Sequence, residues 1–554
     1  MTPAQGVEPD VLVIGGGPAG SSAAAWLARA GLRVLLIERE QFPREHIGES
    51  LLPATLALLD TLGVLPQVQA EGFTVKRGAT MLWGMTDTPW SWHFAETNQR
   101  FPTSFQVWRP RFDQILLEHA TACGVDVRHG NVLEVLFNDS AGAATAASGA
   151  VGVRLADDTR IYAGAVLDCS GQRAVLARQR GLIEFDSFFR NLALFSYFEG
   201  GSRLAPPDDG NIYIESYEHG WSWHIPLAFG AGGPGTAPWS SVGFVLDRER
   251  ALPQLQAKGA DALYALQRAA TRNTRQMLEG ARQVRPVSVL QDWSYRAREF
   301  CGDGWVLAGD AACFIDPLFS TGVHLAVTSG YLAAALLRTQ SSDAELGAAA
   351  RSSYSTLYGT QYEHFHRLAQ LFYAGNRSVS SYFWAARRLM GDDERFAPRE
   401  GFVRAVSGQA PAGYERSVLA QGDLPPAFVQ AVELLQQGRA RRHQHIAQRF
   451  PAGVAAGAPM RPMPVAGVSV ARQAVLGDGC FEWSTVILAP GREAPLPCSA
   501  LIAGMLSCAN GQLGIAAIAA RLLPDADEPT RARASAALQD AARILYIDGL
   551  LSAV

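Results

Sequence analysis

Apolar positions along this chain change their period several times, and each change predicts a different element. Asp10–Ile14 reads as a strand, Pro18–Ala30 as a buried helix of small and apolar residues, and Arg33–Glu38 as a second strand. Phe112, Ile115, Leu116 and Ala120 recur at i, i+3, i+4, i+8, which predicts a helix over Phe112–Cys123. Val166–Cys169 and Trp305–Ala308 are short apolar runs closely followed by Gly or Asp, the pattern of buried parallel strands. Residues 190–250 alternate apolar with polar and are rich in aromatics, predicting an antiparallel sheet on the substrate side, over about 190–300. Asn138–Ala150, full of Ala, Gly and Ser, reads as a solvent loop.

Beyond Gly322 the period is helical to about residue 395, including Tyr331–Leu337 and Tyr358–Phe372. Residues 405–460 carry scattered Gly and Pro and a basic cluster, Arg439-Ala440-Arg441-Arg442, read as a solvated helix face near a linker. The tail offers a strand at Phe481–Leu488 and helices at Ser499–Leu506 and Gln512–Leu523, similar in pattern to winged-helix-like domains. The expected division is a core over 1–330, a helical region over 331–400, a linker over 401–460 and a small domain over 461–554. The fold class is α/β, a Rossmann-like dinucleotide domain carrying an inserted antiparallel sheet.

Composition narrows the partners. With 48 basic and 52 acidic residues the net charge is −4, so nothing marks a nucleic-acid or anionic-membrane binder. Seven cysteines, odd in number and without a C-x-x-C pair, predict neither a disulfide framework nor a zinc site, and a reducing compartment fits them. The N-terminus lacks a signal-peptide pattern, and the most apolar stretch, Ala500–Leu523, is broken by Ser507, Asn510, Gly511 and Gln512. The expectation is a cytoplasmic protein without a membrane span.

Gly15-Gly16-Gly17-Pro18-Ala19-Gly20 lies between the first strand and the first helix. Gly15 allows the tight turn, Gly17 lets the backbone approach a pyrophosphate, and Gly20 brings helix and strand together, with Ala19 between them. The helix N-terminus offers N–H groups and a positive dipole end to phosphate. Glu38, 18 residues past Gly20, closes the second strand where an acid would bind a ribose hydroxyl. Residues 230–235, Gly-Ala-Gly-Gly-Pro-Gly, also satisfy G-x-G-x-x-G, but the strand-like Val242–Leu246 follows instead of a helix. They read as a loop, so no second nucleotide site is expected, and a reduced cofactor would have to come from a separate reductase.

Two further segments point to FAD. Trp305-Val306-Leu307-Ala308-Gly309-Asp310 resembles the strand–Gly-Asp element of aromatic-hydroxylase-type flavoproteins, whose aspartate meets the ribityl chain. Phe42-Pro43-Arg44 leading into Gly48-Glu49-Ser50-Leu51-Leu52-Pro53 resembles the loop along the isoalloxazine, and Arg109 matches a pyrophosphate-side arginine. On the cofactor side the candidates are therefore Arg44, Gly48, Ser50, Arg109 and Asp310.

With this fold, Trp221-Ser222-Trp223-His224-Ile225-Pro226 resembles the W-x-W-x-I-P segment of the flavin-dependent halogenases. The resemblance covers roughly residues 8–375, through Phe189-Arg190-Asn191, Gln291-Asp292-Trp293-Ser294-Tyr295 and Tyr362-Glu363-His364-Phe365. It implies that FADH2, O2 and chloride or bromide yield hypohalous acid, which passes a wall formed by Trp221, Trp223, Ile225 and Pro226. It places Lys76 at the tunnel's end, where an ammonium would polarise the oxidant or a neutral amine would form a chloramine. Desolvation would favour the second by lowering the lysine pKa. It assigns halide to the backbone of Thr321 and Gly322 in Ser320-Thr321-Gly322, a turn that opens a helix, with Ser320 and Thr321 as catalytic candidates. A plain N-cap at Ser320 or Thr321 is compatible with this.

One departure bears on the substrate. Tryptophan-type halogenases carry a glutamate just before this Ser-Thr-Gly, where this chain has Phe319. The chain thus resembles the branch acting on phenolic, pyrrolic or carrier-protein-tethered substrates, which carry their own ring activation. Some of that branch attach FAD covalently through an aspartate, and Asp292 is the candidate. His93 and His324 stand as bases if they face the tunnel. The pairs His364/His366 and His443/His445 read as packing or surface residues, so no metal is expected. Two rival readings remain: an FAD-dependent aromatic hydroxylase of the same fold, and a non-catalytic flavin-binding partner of a carrier protein.

Overall fold

The computed structural model describes residues 8–84, 87–138, 149–229, 237–376, 378, 379, 381, 440–449, 460–490 and 495–553, leaving aside the side chains of 291–293, 371 and 553. They divide between two compact units, one drawn from 1–342 and 354–424 and the other from 343–353 and 425–554. The first unit includes all of the helix Gly322–Ser342 and residues 354–375 of the helix Ala344–Gly375.

The first unit is built on a six-stranded sheet ordered Cys301–Gly302, Trp305–Leu307, Ala165–Asp168, Val11–Ile14, Val34–Glu38, Asp126–His129. Every pairing is parallel except the edge pair Cys301–Gly302 with Trp305–Leu307. Val11–Ile14 is buried throughout, which explains its unbroken apolar run. The chain leaves it through Pro18–Arg29 to pair on one side with Val34–Glu38, and later pairs on its other side with Ala165–Asp168. The glycine turn thus sits at a topological switch point, the place where open α/β sheets bind ligands.

A nine-stranded sheet stands beside it, ordered Cys313–Phe314, Ser288–Ala297, Ile183–Glu199, Trp239–Asp247, Gly220–Leu227, Ile212–Tyr217, Gly78–Leu82, Trp90–His93, with Arg282–Gln283 off the path. Both faces are covered. One carries a core of Met81, Trp83, Phe189, Trp221, Trp223 and Phe319; the other packs Leu194, Phe198, Val242 and Phe244 against Leu263 and Tyr264 of a helix. Two expectations need correction. Within the span 190–300 the helices Arg248–Lys258, Ala260–Ala270 and Asn273–Met277 interrupt the sheet, because the alternation ends at Asp247 and a helix-period stripe replaces it. The sheet is also not purely antiparallel: Ile212–Tyr217 pairs in parallel with Gly78–Leu82, far back in the chain.

Helices span Gly322–Ser342 and Ala344–Gly375, as the period after Gly322 predicts; residues 382–400 lie outside the described set. So do residues 139–148 of the expected loop and, in the expected linker, all but 440–449, which is helical, and 460. In the second unit Ser469–Leu476, Phe481–Leu488 and Leu496–Pro497 form an antiparallel sheet, followed by helices Ala500–Cys508, Ile515–Leu522 and Glu528–Ile547. The strand and two helices expected there are present. The order is not that of a winged helix, since the hairpin precedes the helices that pack through Met505, Ile518 and Leu538 instead of following them. Ser469–Leu476 escaped notice because three of its eight residues are small or polar at positions that should be apolar for alternation. No described helix is long and apolar enough to cross a membrane.

Candidate active site

The glycine turn has little room for anything but glycine. Gly15 has φ +99°, and a Cβ there would lie 2.5 Å from the Cys169 carbonyl oxygen; one at Gly20 would lie 1.9 Å from the Gly15 oxygen. Pro18 opens the helix with no side-chain cap, so its first N–H groups are available to an anion. Ala19 is buried against Gly309. Glu38, expected to meet a ribose hydroxyl, accepts from the Gly16 N–H at 2.6 Å and the Glu40 N–H at 2.8 Å, so it braces the glycine turn.

Arg44 reaches this turn: its Nη2 lies 3.3 Å from where a Gly17 Cβ would be, and 3.5 Å from Asp113. Arg109 forms a bidentate pair with Asp113, 2.7 and 2.9 Å, and donates to the Ile47 carbonyl at 2.5 Å. Gly48, at φ +100°, lies against the same guanidinium. Asp113 sits one helical turn after Arg109, a spacing that marks an ion pair, yet the sequence reading gave it no role. Ser50 bridges to Gln106, and the Ser50 Oγ and Gln106 Oε1 are buried without a partner among the described residues. The neighbouring Glu49, 1% exposed, accepts from Tyr197 Oη at 2.8 Å, and burial raises its pKa. It too was passed over, because a single acid inside a loop motif carries no periodic signal.

The far end of this loop meets the lysine. Lys76 Nζ donates to the Leu51 carbonyl at 3.0 Å and lies 5.3 Å above the Phe94 ring. Lys76 is 2% exposed while Val75 beside it is 39% exposed, so the strand Thr74–Lys76 turns its cation inward and its apolar residue outward. No described carboxylate pairs with it, and desolvation pushes its pKa down to about 7. Arg44 and Leu51 are seven positions apart, so their Cα atoms lie at most about 25 Å from each other.

Trp221 and Trp223 are 1% and 5% exposed and project, with Ile225, into the aromatic core of the large sheet. Their rings are 6.0 Å apart; Trp221 donates to the Tyr373 hydroxyl and Trp223 to Ser241 Oγ at 3.3 Å. Pro226 corrects the expectation: successive strand residues face opposite sides, so it points away from the wall that Trp221, Trp223 and Ile225 share.

The Ser-Thr-Gly turn is held from below. Buried Asp316 accepts from the Leu318 N–H at 3.1 Å, from Asn191 at 2.9 Å and from Tyr373 Oη at 2.7 Å. That cap ends in Ser320 at φ +59°, and the helix starts at Gly322, where a Cβ would meet nothing within 4 Å. Thr321 is buried, and the space where a Gly322 side chain would stand is open. Phe319, in place of an acid, packs on Phe372 at 5.1 Å. Asp310 follows Gly309, φ +60°, and desolvation pushes its carboxyl up to about 6, with Arg109 opposing.

An anionic dinucleotide fits this set: a turn that rejects a Cβ, an uncapped helix start, two arginines, and unpartnered polar atoms at Ser50 and Gln106. Asp292 lies on the strand Ser288–Ala297 opposite Asn191, but its side chain is outside the described residues, as are residues 230–235 of the second glycine-rich segment. His93 pairs with Asp208 at 2.7 Å and His366 with Asp186 at 2.6 Å; His324 is buried.

Known proteins resemble this chain in sequence and fold. A family model described as tryptophan halogenase matches residues 10–105 and 96–415. The tryptophan 2-halogenase of Chondromyces crocatus is 32% identical over 445 residues, 79% of this chain and 80% of that protein. The 1H-pyrrole-2-carbonyl-[peptidyl-carrier protein] chlorinase of Pseudomonas fluorescens is 34% identical over 58% of this chain and 74% of its own length. Among solved structures, the flavin-dependent halogenase CmlS aligns with a TM-score of 0.69 at 28% identity, covering 98% of this chain and 96% of that one. The myxobacterial chondrochloren halogenase CndH gives 0.64 at 33%, covering 78% and 97%. The family match spans well over half of the sequence, and the chain belongs to the flavin-dependent halogenases.

Proposed function

We propose that this enzyme halogenates an electron-rich aromatic substrate, free or carrier-bound, by handing oxidised halogen to Lys76. Bound and reduced, FAD supplies the redox chemistry that converts O2 and chloride or bromide into hypohalous acid. Gly15, Gly17, Ala19 and Gly20 with Arg44 and Arg109 would hold its phosphates, and Gly48, Ser50 and Asp310 would position the rest. Glu38 anchors the turn. A separate reductase would deliver the reduced cofactor.

The chain's own groups then do three things. The N–H groups at Thr321 and Gly322, with Ser320 setting the turn, would attract halide as donors, with Phe319 rather than an acid just before them. The indoles of Trp221 and Trp223 fill the space between strands and keep an organic ring from the oxidant's source. The Lys76 amine, about half neutral at pH 7, attacks the halogen of hypohalous acid, forming N–X and releasing water. An electron-rich ring carbon attacks that halogen, the N–X bond breaks with its electron pair going to nitrogen, and loss of the ring proton balances the proton that restores the amine. Phe319 offers no base for that last proton, which favours rings activated by their own hydroxyl or nitrogen.

The observation carrying this reading is a buried lysine, without a carboxylate partner among the described residues, held at Leu51 by the loop whose Arg44 touches the glycine turn. Mass spectrometry of products made by the full chain with a reductase, phenols or pyrroles, and either chloride, bromide or neither tests it. Halogen-bearing product that requires halide supports the reading, and a hydroxylated product formed without halide overturns it.

A further inference from the structure

The wall strand and the Ser-Thr-Gly turn are joined by one hydroxyl. Tyr373 stands in the last turn of the helix Ala344–Gly375. Its Oη accepts from the Trp221 indole N–H and donates to Asp316 Oδ2 at 2.7 Å. Asn191 donates to the same Oδ2 at 2.9 Å, and the Leu318 N–H donates to Oδ1 at 3.1 Å. The Asp316 N–H in turn donates to Ser294 Oγ at 2.9 Å. Trp221, Tyr373, Asp316 and Asn191 are each no more than 1% exposed. Three strands of the large sheet and the end of a helix therefore converge on one aspartate, which Thr321 follows by five positions.

This convergence bears on an anion site in two ways. Asp316 caps the turn Pro317–Phe319, so the bonds that fix its carboxylate also fix where Ser320 turns and where the helix Gly322–Ser342 begins. The carboxylate is also an acceptor in its own right. With a lone pair open it would compete with halide for N–H donors, since a buried acceptor is costly to leave unpaired. The first N–H groups of a helix lack helical acceptors, and those of this helix are close to Asp316 in the chain. Tyr373 and Asn191 keep Oδ2 occupied from the sheet side.

The hydroxyl can be separated from the ring that carries it. The Tyr373 ring packs edge-on against Phe189 at 5.2 Å and Trp83 at 5.6 Å, contacts that a phenylalanine would keep.

Resting on the halogenase reading above, we propose that Tyr373 is a positioning residue for halide, its hydroxyl committing the Asp316 carboxylate and tying the Ser-Thr-Gly turn to the wall indole. Trp221 then serves halide retention through its N–H as well as the wall through its ring.

Chloride alone is the first probe. It is titrated against the oxidised full chain by chloride-detected NMR. Halogenation is then measured against chloride concentration, with a reductase and a phenol or pyrrole in excess. Tyr373→Phe should weaken chloride binding and raise the KM for chloride roughly tenfold, with kcat at saturating chloride and the KM for the organic substrate near wild type. Asp316→Asn, of the same shape, is the second probe should the tyrosine variant fail to fold, and should weaken chloride as well. Where both fold, the double variant should lose less than the product of the two single effects, because both break the Tyr373–Asp316 bond. Unchanged chloride binding in Tyr373→Phe, or a fall in kcat with the chloride KM unmoved, as a merely structural role would give, would overturn the proposal. Chloride binding that Tyr373→Phe weakens, in a wild type that never adds halogen, would support the positioning role while sinking the halogenase reading. Wild type that halogenates while Tyr373→Phe keeps the chloride KM would sink the proposal alone.

Discussion

Replacing Lys76 by Met should stabilise the protein while removing its halogenation activity. The lysine has its pKa moved from 10.5 to about 7 by desolvation, and at about 1.4 kcal/mol per pH unit the charged form is disfavoured in the fold by on the order of 5 kcal/mol. Because the folded-state value lies below the unfolded one, the unfolded chain binds the extra proton between pH 7 and 10.5. Stability therefore rises with pH across that window, and below pH 7 the full deficit is present. Met fills the same volume without the charge, but leaves the Leu51 carbonyl without its 3.0 Å donor, which costs about 1–3 kcal/mol. The net expectation is a gain of a few kcal/mol at pH 6, shrinking toward pH 9.5. Urea unfolding of wild type and variant at pH 6, 7, 8 and 9.5 measures it. A variant less stable than wild type at pH 6, or a difference that does not change with pH, would refute the desolvation argument.

Other consequences are independent of that one. Halogenation should rise from pH 6 to 8 as the Lys76 amine sheds its proton near 7, and Lys76→Arg should be low and flat; a fall in wild-type rate over that range contradicts the amine route. Gly243→Ala would place a Cβ 2.2 Å from the Trp223 ring, so a calorimetric melt should show about 1–3 kcal/mol of destabilisation, and less halogenated product should form per flavin consumed. Asp113→Asn leaves the Arg109 charge buried without its bidentate partner, costing roughly 3–5 kcal/mol in denaturant titration; a change below 1 kcal/mol, on the order of a surface ion pair, would count against it. Gly20→Ala, whose Cβ would sit 1.9 Å from the Gly15 oxygen, should lose flavin absorbance after gel filtration while the wild type retains it.

The parts of this site that lie close together in sequence were legible there. Gly15 to Gly20, Gly309-Asp310 and Ser320 to Gly322 are each a turn between a strand or loop and a helix, so their chemistry and conformation are written in adjacent residues. The wall strand was legible for the same reason, except that period two, applied strictly, would have excluded Pro226. What stayed hidden depends on contacts distant in the chain. Tyr373 reaches Asp316 across 57 positions, Tyr197 reaches Glu49 across 148, and Gly78–Leu82 joins the large sheet beside Ile212–Tyr217. No local pattern announces such pairings. Burial of Lys76 was likewise unreadable, because it follows from a strand that hides its polar side and exposes Val75.

The most direct test of the central claim is turnover by Lys76→Ala with a flavin reductase, chloride and a phenol, following flavin oxidation, free hypohalous acid and halogenated product together. Oxidant made at the Thr321–Gly322 side should persist and escape to solution while halogenated product disappears. Undiminished halogenation by that variant would contradict the account.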